Sequence, residues 1–185
     1  MHALVYVLIA LNVICLVAFQ WGRMAYFRRS ENDGVRGGLG PLGTVFAVIQ
    51  LPLVWIGSQQ SRLALQILAA LLYMLALAIF FWAVRSHQNN RPGIAFSSQT
   101  PAVVITDGAY QLARHPFYLA YMLFWVGAAI VAPFCLGVAF FAIMATLYAR
   151  AALQEERDIM ASPLAPVYAE YKSRVGMFFR WPRFD

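Results

Sequence analysis

Charge is scarce in this sequence. Of 185 residues, 12% are charged and 62% are hydrophobic, where an ordinary soluble domain carries about 25% charged residues. A soluble domain of this length has more surface than so few polar residues can cover, and intrinsic disorder is excluded on the same ground. Cysteine is nearly absent as well. The two residues, Cys15 and Cys135, rule out a disulfide-stapled secreted fold. Both lie in apolar runs without metal-ligand spacing, so they are expected to be buried thiols and no metal is expected. There is no internal repeat, no low-complexity segment and no G-x-x-x-x-G-K-[ST] phosphate cradle. The first apolar run has no basic stretch before it and no A-x-A after it, which argues against a cleavable signal peptide over residues 1–20. The net charge of +6 comes without a recognition motif or basic cluster, so nucleic acid is not an expected partner.

What is present is long apolar runs. Residues 3–19 contain one polar side chain, Asn12, and residues 63–84 contain one, Gln66. Residues 42–57 form a shorter run interrupted by Pro52. Residues 117–149 run for 33 positions without a charge. As one helix that stretch would be about 50 Å long, against roughly 30 Å of hydrocarbon. Pro133 stands at its midpoint, where a helix is expected to stop. The reading is two short helices joined at Ala132–Pro133. The fold expected is therefore an all-α integral membrane domain covering residues 1–185, with five spans at about 3–20, 42–57, 63–84, 117–131 and 134–149.

The few charges test that count. With five spans, the segments 20–41, 85–116 and 150–185 share one side and hold 13 of the 14 Lys and Arg residues, leaving Arg62 alone on the other. A single span over 117–149 would split the basic residues evenly. The positive-inside rule favours five spans with the N-terminus outside and the C-terminus cytoplasmic, as in the plasma membrane of a bacterium. Trp21, Trp55 and Trp82 fall near span ends, where aromatic belts sit; Trp125 falls in mid-span and does not fit that role. Segment 28–43, rich in glycine, reads as a flexible loop. In the tail, 150–160 is helix-compatible, Ser162, Pro163 and Pro166 mark a break, and 167–175 is helical again. Its Tyr168, Tyr171 and Val175 would form one face of an interfacial helix.

Two clusters carry chemical potential. At the mouth of the fourth span stand Gly108-Ala109-Tyr110 and Arg114-His115-Pro116-Phe117-Tyr118. Pro116 suits the first position of a helix, where its missing N–H costs nothing. Arg114 and His115 before it could simply anchor the helix at the headgroup layer, or serve a polar site there. Beyond the fifth span stand Arg150 and the pair Glu155-Glu156. Adjacent carboxylates on a helix point about 100° apart, so at most one can closely face any given partner. Four of the eight acidic residues, Glu155, Glu156, Asp158 and Glu170, gather between 150 and 175 beside the membrane. Negative charge there opposes attraction to anionic lipid, but it could hold a cationic ligand or neighbouring arginines.

The string T-D-G-A-Y-Q-L-A-R-H-P-F-Y over 106–118, the span pair, R-x-x-x-x-E-E over 150–156 and Y-A-E-Y-K-S-R-V over 168–175 together resemble the isoprenylcysteine carboxyl methyltransferase and phospholipid methyltransferase superfamily. The resemblance covers about residues 100–176, and the first three spans carry no matching motif. It departs from the family pattern at Ala120, Ile159 and Gly176. The resemblance implies an S-adenosylmethionine-dependent methyltransferase whose cofactor is bound by Arg114, His115, Tyr118, Glu155 and Glu156, within a region spanning about 86–118 and 150–185. It suggests in-line transfer to a lipid-like or amphipathic acceptor bearing a carboxylate, thiol or amine, with Glu155 or His115 as the nearest base where an amine must lose a proton and Arg150 orienting an anionic head group. Membrane lipids are the expected surroundings. The rival enzyme class is the NADPH-dependent membrane sterol reductases, which share an Arg-His-Pro element but have Arg-Asp-Glu followed by a cysteine, absent here. A non-enzymatic scaffold or a transporter is the other alternative. A transporter is disfavoured because the predicted spans hold no charged side chain.

Overall fold

The computed structural model of the chain describes residues 2–26, 34–89 and 104–179. They form six α-helices: α1 (His2–Tyr26), α2 (Gly34–Gln60), α3 (Leu63–Asn89), α4 (Pro116–Val131), α5 (Phe134–Met160) and α6 (Ala165–Arg174), with a short 3-10 turn at Gly108–Gln111 before α4. No strand occurs among the described residues. Four helices contain segments long and apolar enough to cross a bilayer: Ala3–Arg23, Gly40–Gln60, Leu63–His87 and Phe134–Met160. The fifth apolar helix, α4, has 16 residues, about 24 Å. The protein is a multi-pass membrane protein, and the regular structure of its described residues is helical.

The break expected in the long apolar run falls where proline demands it. α4 ends at Val131, Ala132 is extended (φ −75°, ψ 166°) and α5 resumes at Phe134. The two-residue connection turns α5 back along α4, so the pair is a helical hairpin. Its tip is closed by small residues. A Cβ on Gly137 would stand 2.9 Å from the Ala129 Cα and carbonyl oxygen, and one on Gly57 would collide with the Val131 carbonyl. α2 therefore packs backbone to backbone against the tip. α5 has 27 residues, about 40 Å, so roughly its last two turns extend past a hydrocarbon layer of about 30 Å. Those turns carry Glu155 and Glu156.

Three expectations need correction. The glycine-rich stretch 28–43 is helical from Gly34 onward, with Pro41 and Pro52 inside α2; residues 28–33 lie outside the described residues. At Gly40 the missing side chain serves contact rather than looseness, because a Cβ there would stand 2.5 Å from the Arg23 Cδ of α1. Second, only Cys15 is buried, its thiol on the Tyr73 carbonyl at 3.7 Å, while Cys135 is exposed in the first turn of α5. Third, the tyrosine face of α6 does not turn outward. Tyr168 and Tyr171 are buried with Tyr110, beside Val104 and Ile105, so the tail helix docks on protein. The helix-compatible stretch 150–160 is helical, as the continuation of α5.

The interior is aromatic and tightly layered. Phe19 of α1, Phe80 of α3 and Tyr121 and Phe124 of α4 meet edge-on or tilted, with ring centroids 4.8–6.3 Å apart. Trp125 is buried rather than at an interface and donates its indole N–H to the Tyr148 hydroxyl at 3.3 Å. Trp21, Trp55 and Trp82 are exposed. Asn12, polar and fully buried, is matched by the Tyr73 hydroxyl at 2.9 Å, as a polar group in an apolar interior must be.

Candidate functional site

The site is assembled at the open end of the α4–α5 hairpin. The entry to α4 is fixed by the 3-10 turn docked on the end of α3. Gly108 has φ +60° and sits where a Cβ would strike the Ser86 hydroxyl. The Ser86 oxygen in turn accepts the Ala109 N–H at 3.0 Å. A glycine is required there both for the left-handed backbone and for the close approach. Arg114 and His115 follow, and α4 starts with Pro116 as its first residue and the Leu119 N–H on the His115 carbonyl at 3.0 Å.

α5 brings the acidic residues to the same place by periodicity. Met144, Tyr148, Ala151, Ala152, Glu155 and Glu156 are its buried residues in the second half. Their spacing of 4, 3, 1, 3 and 1 traces one helical face. The carboxylates continue an apolar stripe instead of leaving it. The two carboxyls have different nearest partners, Arg114 and Lys172 for Glu156 and Tyr118 for Glu155, and share His115. Glu156 Oε1 accepts from Arg114 Nε at 2.9 Å and lies 2.8 Å from Arg114 Nη2, while Lys172 Nζ of α6 is 2.8 Å from Oε2. Glu155 Oε1 accepts the Tyr118 hydroxyl at 2.6 Å. His115 lies between them, with Nε2 3.2 Å from Glu156 Oε1 and Nδ1 3.5 Å from Glu155 Oε2.

The tail closes the cluster. After α6 the chain runs back beside the start of α4, where the Gly176 carbonyl accepts the Arg114 N–H at 3.0 Å and the Met177 carbonyl accepts the His115 N–H at 3.1 Å. Arg114 Nη1 donates to the Val175 carbonyl at 2.6 Å and the Lys172 carbonyl at 3.3 Å. The Tyr171 hydroxyl donates to the Tyr110 carbonyl at 2.6 Å. Arg114 thus joins α5, α6 and the returning strand of tail through one guanidinium. The His115 ring stacks on Tyr118 (5.7 Å, 22°), and Tyr118 stacks on Tyr148 (5.5 Å, 19°).

The electrostatics follow from burial among fixed donors. Burial alone would raise the Glu156 carboxyl, but hydrogen bonds from His115, Lys172 and Arg114 outweigh it and hold the group at about 2. For His115, burial disfavours the cation, while the two carboxyls beside it favour it and prevail, so its pKa is raised. Glu156 faces a cation on each oxygen, with Arg114 and His115 at Oε1 and Lys172 in an ion pair at Oε2. Glu155 is buried too, yet its Oε2 has only the His115 nitrogen at 3.5 Å, beyond a good hydrogen bond.

Five of the six site residues expected from sequence, Arg114, His115, Tyr118, Glu155 and Glu156, are in mutual contact. The sixth, Arg150, is exposed on α5 and takes no part in these contacts. Sequence reasoning missed Lys172 and the backbone of Val175, Gly176 and Met177. Lys172 stands four residues after Tyr168 and so shares its face, a signal that was available. The carbonyl contacts of the tail have no side-chain signature. Among the described residues no group of three or more His, Cys, Asp or Glu is arranged to hold a metal ion.

A family model described as phospholipid methyltransferase matches residues 63–165, more than half of the chain and all five clustered residues. The chain belongs to the phospholipid methyltransferase family. The match takes in α3 as well as the hairpin, further toward the N-terminus than the sequence motifs reach. That extension fits the structure, since α3 carries the Ser86 seat for the turn before α4. Among curated proteins, a methanethiol S-methyltransferase of Mycobacterium tuberculosis is 40% identical over 75 residues, 40% of this chain. The matched segment spans only 29% of that protein's length. No solved structure matches this member of the family.

Proposed function

We propose that the protein is an S-adenosylmethionine-dependent methyltransferase acting at the cytoplasmic membrane face on a small thiol or an amphipathic, lipid-like acceptor. The observation that carries this reading is the buried Arg114–His115–Tyr118–Glu155–Glu156 cluster inside the family-matched segment. On this reading α4 counts as a span, giving five, with the N-terminus outside. The described basic residues support that orientation. Arg23, Arg85, Arg114, Arg157 and Lys172 follow long apolar stretches toward the clustered end, and Arg62 sits in the α2–α3 turn at the other. A bacterial plasma membrane is the setting this implies.

The residues present suit the cofactor's zwitterionic end. Glu155 is a buried carboxyl with one weakly engaged oxygen, so it would hold the ammonium. His115, drawn toward its cationic form, would hold the carboxylate through a charge-assisted bond. Glu156, already paired with Arg114 and Lys172, would keep Arg114 and the tail in place. Bound there, the cofactor supplies an electrophilic methyl group on a sulfonium. The protein's own part is alignment and exclusion of water. Holding acceptor and donor in near-attack geometry can supply a large share of the barrier reduction. An ionised thiol or carboxylate needs no base; an amine does, and Glu155 or His115 is the nearest. Arg150, exposed at the membrane surface, would meet an anionic head group. The name of the partial relative, methanethiol S-methyltransferase, supports a thiol among the acceptors, and the family description supports an amphipathic one.

Calorimetry on the full chain in detergent tests the cofactor class. S-adenosylhomocysteine should bind and NADPH should not; the reverse would replace this reading with a reductase. Radiolabelled methyl transfer into total lipid and into small thiols then separates the two acceptor classes.

A further inference from the structure

Arg23 has no assigned role in the cluster just described, and it lies outside the family-matched segment. It belongs to the last described turns of α1, half-buried between α1 and α2. Its side chain crosses Gly40, where a Cβ would stand 2.5 Å from Cδ and 3.1 Å from Nη1. Its Nε donates to Gln20 Oε1 at 2.8 Å. Gln20 is held in turn by Thr44, whose hydroxyl donates to the Gly40 carbonyl at 2.8 Å. The arm is thus braced by two polar residues, Gln20 and Thr44, and one glycine. Among the described residues no carboxylate pairs with its guanidinium.

Its neighbours on the other side lead to the site. Phe19, one helical turn before Arg23 on the same face, packs edge-on against Tyr121 of α4 at 4.8 Å. Tyr121 neighbours Tyr118 at 6.3 Å and Tyr148 at 5.6 Å. Gly40, which Arg23 crosses, and Gly43, which faces the Tyr148 hydroxyl, are one turn apart on α2, and Tyr121, its ring 5.6 Å from that of Tyr148, has no hydrogen-bond partner for its hydroxyl among the described residues. On α2, Gly43 leaves Tyr148 uncrowded, with a Cβ there 3.6 Å from its hydroxyl. The three tyrosines therefore have Glu155 at the Tyr118 end and, across Gly40 and Gly43 of α2, Arg23 on the side of Tyr148 and Tyr121. On that side stand a guanidinium with no carboxylate partner and a hydroxyl with no hydrogen-bond partner among the described residues, an arrangement that suits an anion.

We propose that Arg23, together with the Tyr121 hydroxyl, receives the negatively charged acceptor group, a thiolate or a carboxylate, during methyl transfer. This rests on the methyltransferase reading above. A lone pair of the acceptor forms the new bond to the methyl carbon, and the carbon–sulfur bond of the sulfonium breaks with its pair staying on sulfur. No proton moves. The product, a thioether or an ester, is neutral, so it no longer holds Arg23 and can leave.

The test uses the full chain in detergent with two probes of equal chain length, an alkanethiol and an alkyl carboxylate. Arg23→Gln should raise the acceptor KM by about tenfold or more, the scale of a lost charge-assisted hydrogen bond. Its affinity for S-adenosylhomocysteine should stay within about twofold of wild type, and Arg23→Lys should recover part of the loss. With the thiol, Arg23→Gln should also move the rise of kcat/KM to higher pH, since the thiolate loses its counter-charge; a merely structural role would leave that profile in place. Tyr121→Phe keeps the ring packing, so a raised KM at unchanged thermal midpoint supports the site even if Arg23→Gln folds poorly. An unchanged KM in both variants overturns the proposal, as does equal loss of acceptor and cofactor affinity. Failure of the wild type to bind S-adenosylhomocysteine would instead remove the reading on which it stands.

Discussion

The two ends of the α4–α5 hairpin are held by different physics. At the closed end the chain is uncharged. Ala132 and Pro133 make the turn, and Gly137 and Gly57 let backbones approach until a single methyl group would not fit. At the open end, 16 residues away along α4, the same two helices are joined by a guanidinium, an imidazole, an ammonium and two carboxyls. Shape fixes the first end and charge fixes the second. In a membrane protein that division is informative. Lipid tails compete as well as side chains do for apolar contact, so close packing of small residues is the means of holding helices together. Buried charge costs free energy unless it is paired and is retained where something must be bound.

The comparison can be broken at either end. The largest effect is expected from Glu156→Ala, which leaves Arg114 and Lys172 facing a void. Removing one partner of a buried pair costs about 3–5 kcal/mol. The tail should then detach, seen as a lowered thermal midpoint and as new protease sensitivity after Arg174. Next comes Gly57→Val at the closed end, where the added carbons collide with the Val131 carbonyl. Overpacking of this kind costs about 1–3 kcal/mol. Its thermal midpoint should fall by the same amount at every pH.

The third effect is the pH dependence itself, which belongs to the open end alone. Glu156 is held at about 2 against an ordinary 4.5, so its contribution is present above pH 4.5 and is lost as pH falls toward 2. His115 is raised above 6.5, so its contribution is fully present below pH 6.5 and is lost as pH rises through the folded value. The thermal midpoint should therefore peak on the acid side of neutrality, falling above about pH 6.5 and below about pH 4.5. Glu156→Gln should flatten the acid limb, and a wild-type midpoint flat across both limbs would refute the assignment. The smallest effect should come from Arg62→Gln, an exposed charge in the α2–α3 turn. It should lie within about 0.5 kcal/mol of wild type; a large loss would mean that this turn carries more of the fold than its contacts indicate.

Much of this was legible from the residues. Pro133 in a 33-residue apolar run forces a hairpin because one helix of that length outruns the bilayer. The order Arg-His-Pro, hairpin, Glu-Glu then brings both polar elements to one end. Two things were hidden. α2 extends through Pro41, and Gly40 beside it makes room for Arg23, a contact between positions 17 residues apart that no local pattern records. The return of the tail depends on the carbonyls of Val175, Gly176 and Met177, and every residue has a carbonyl. Charge counting located the acidic pair, but only the contacts divide it into Glu156, paired with Arg114, His115 and Lys172, and Glu155, whose second oxygen is weakly engaged.

That division is the central claim, and one measurement addresses it directly: calorimetric titration of S-adenosylhomocysteine into detergent-solubilised wild type and Glu155→Gln, with the thermal midpoint of each recorded without ligand. The account predicts an affinity at least about tenfold weaker for Glu155→Gln, as a lost charge-assisted bond requires, at a nearly unchanged midpoint. Unchanged affinity in Glu155→Gln would contradict it.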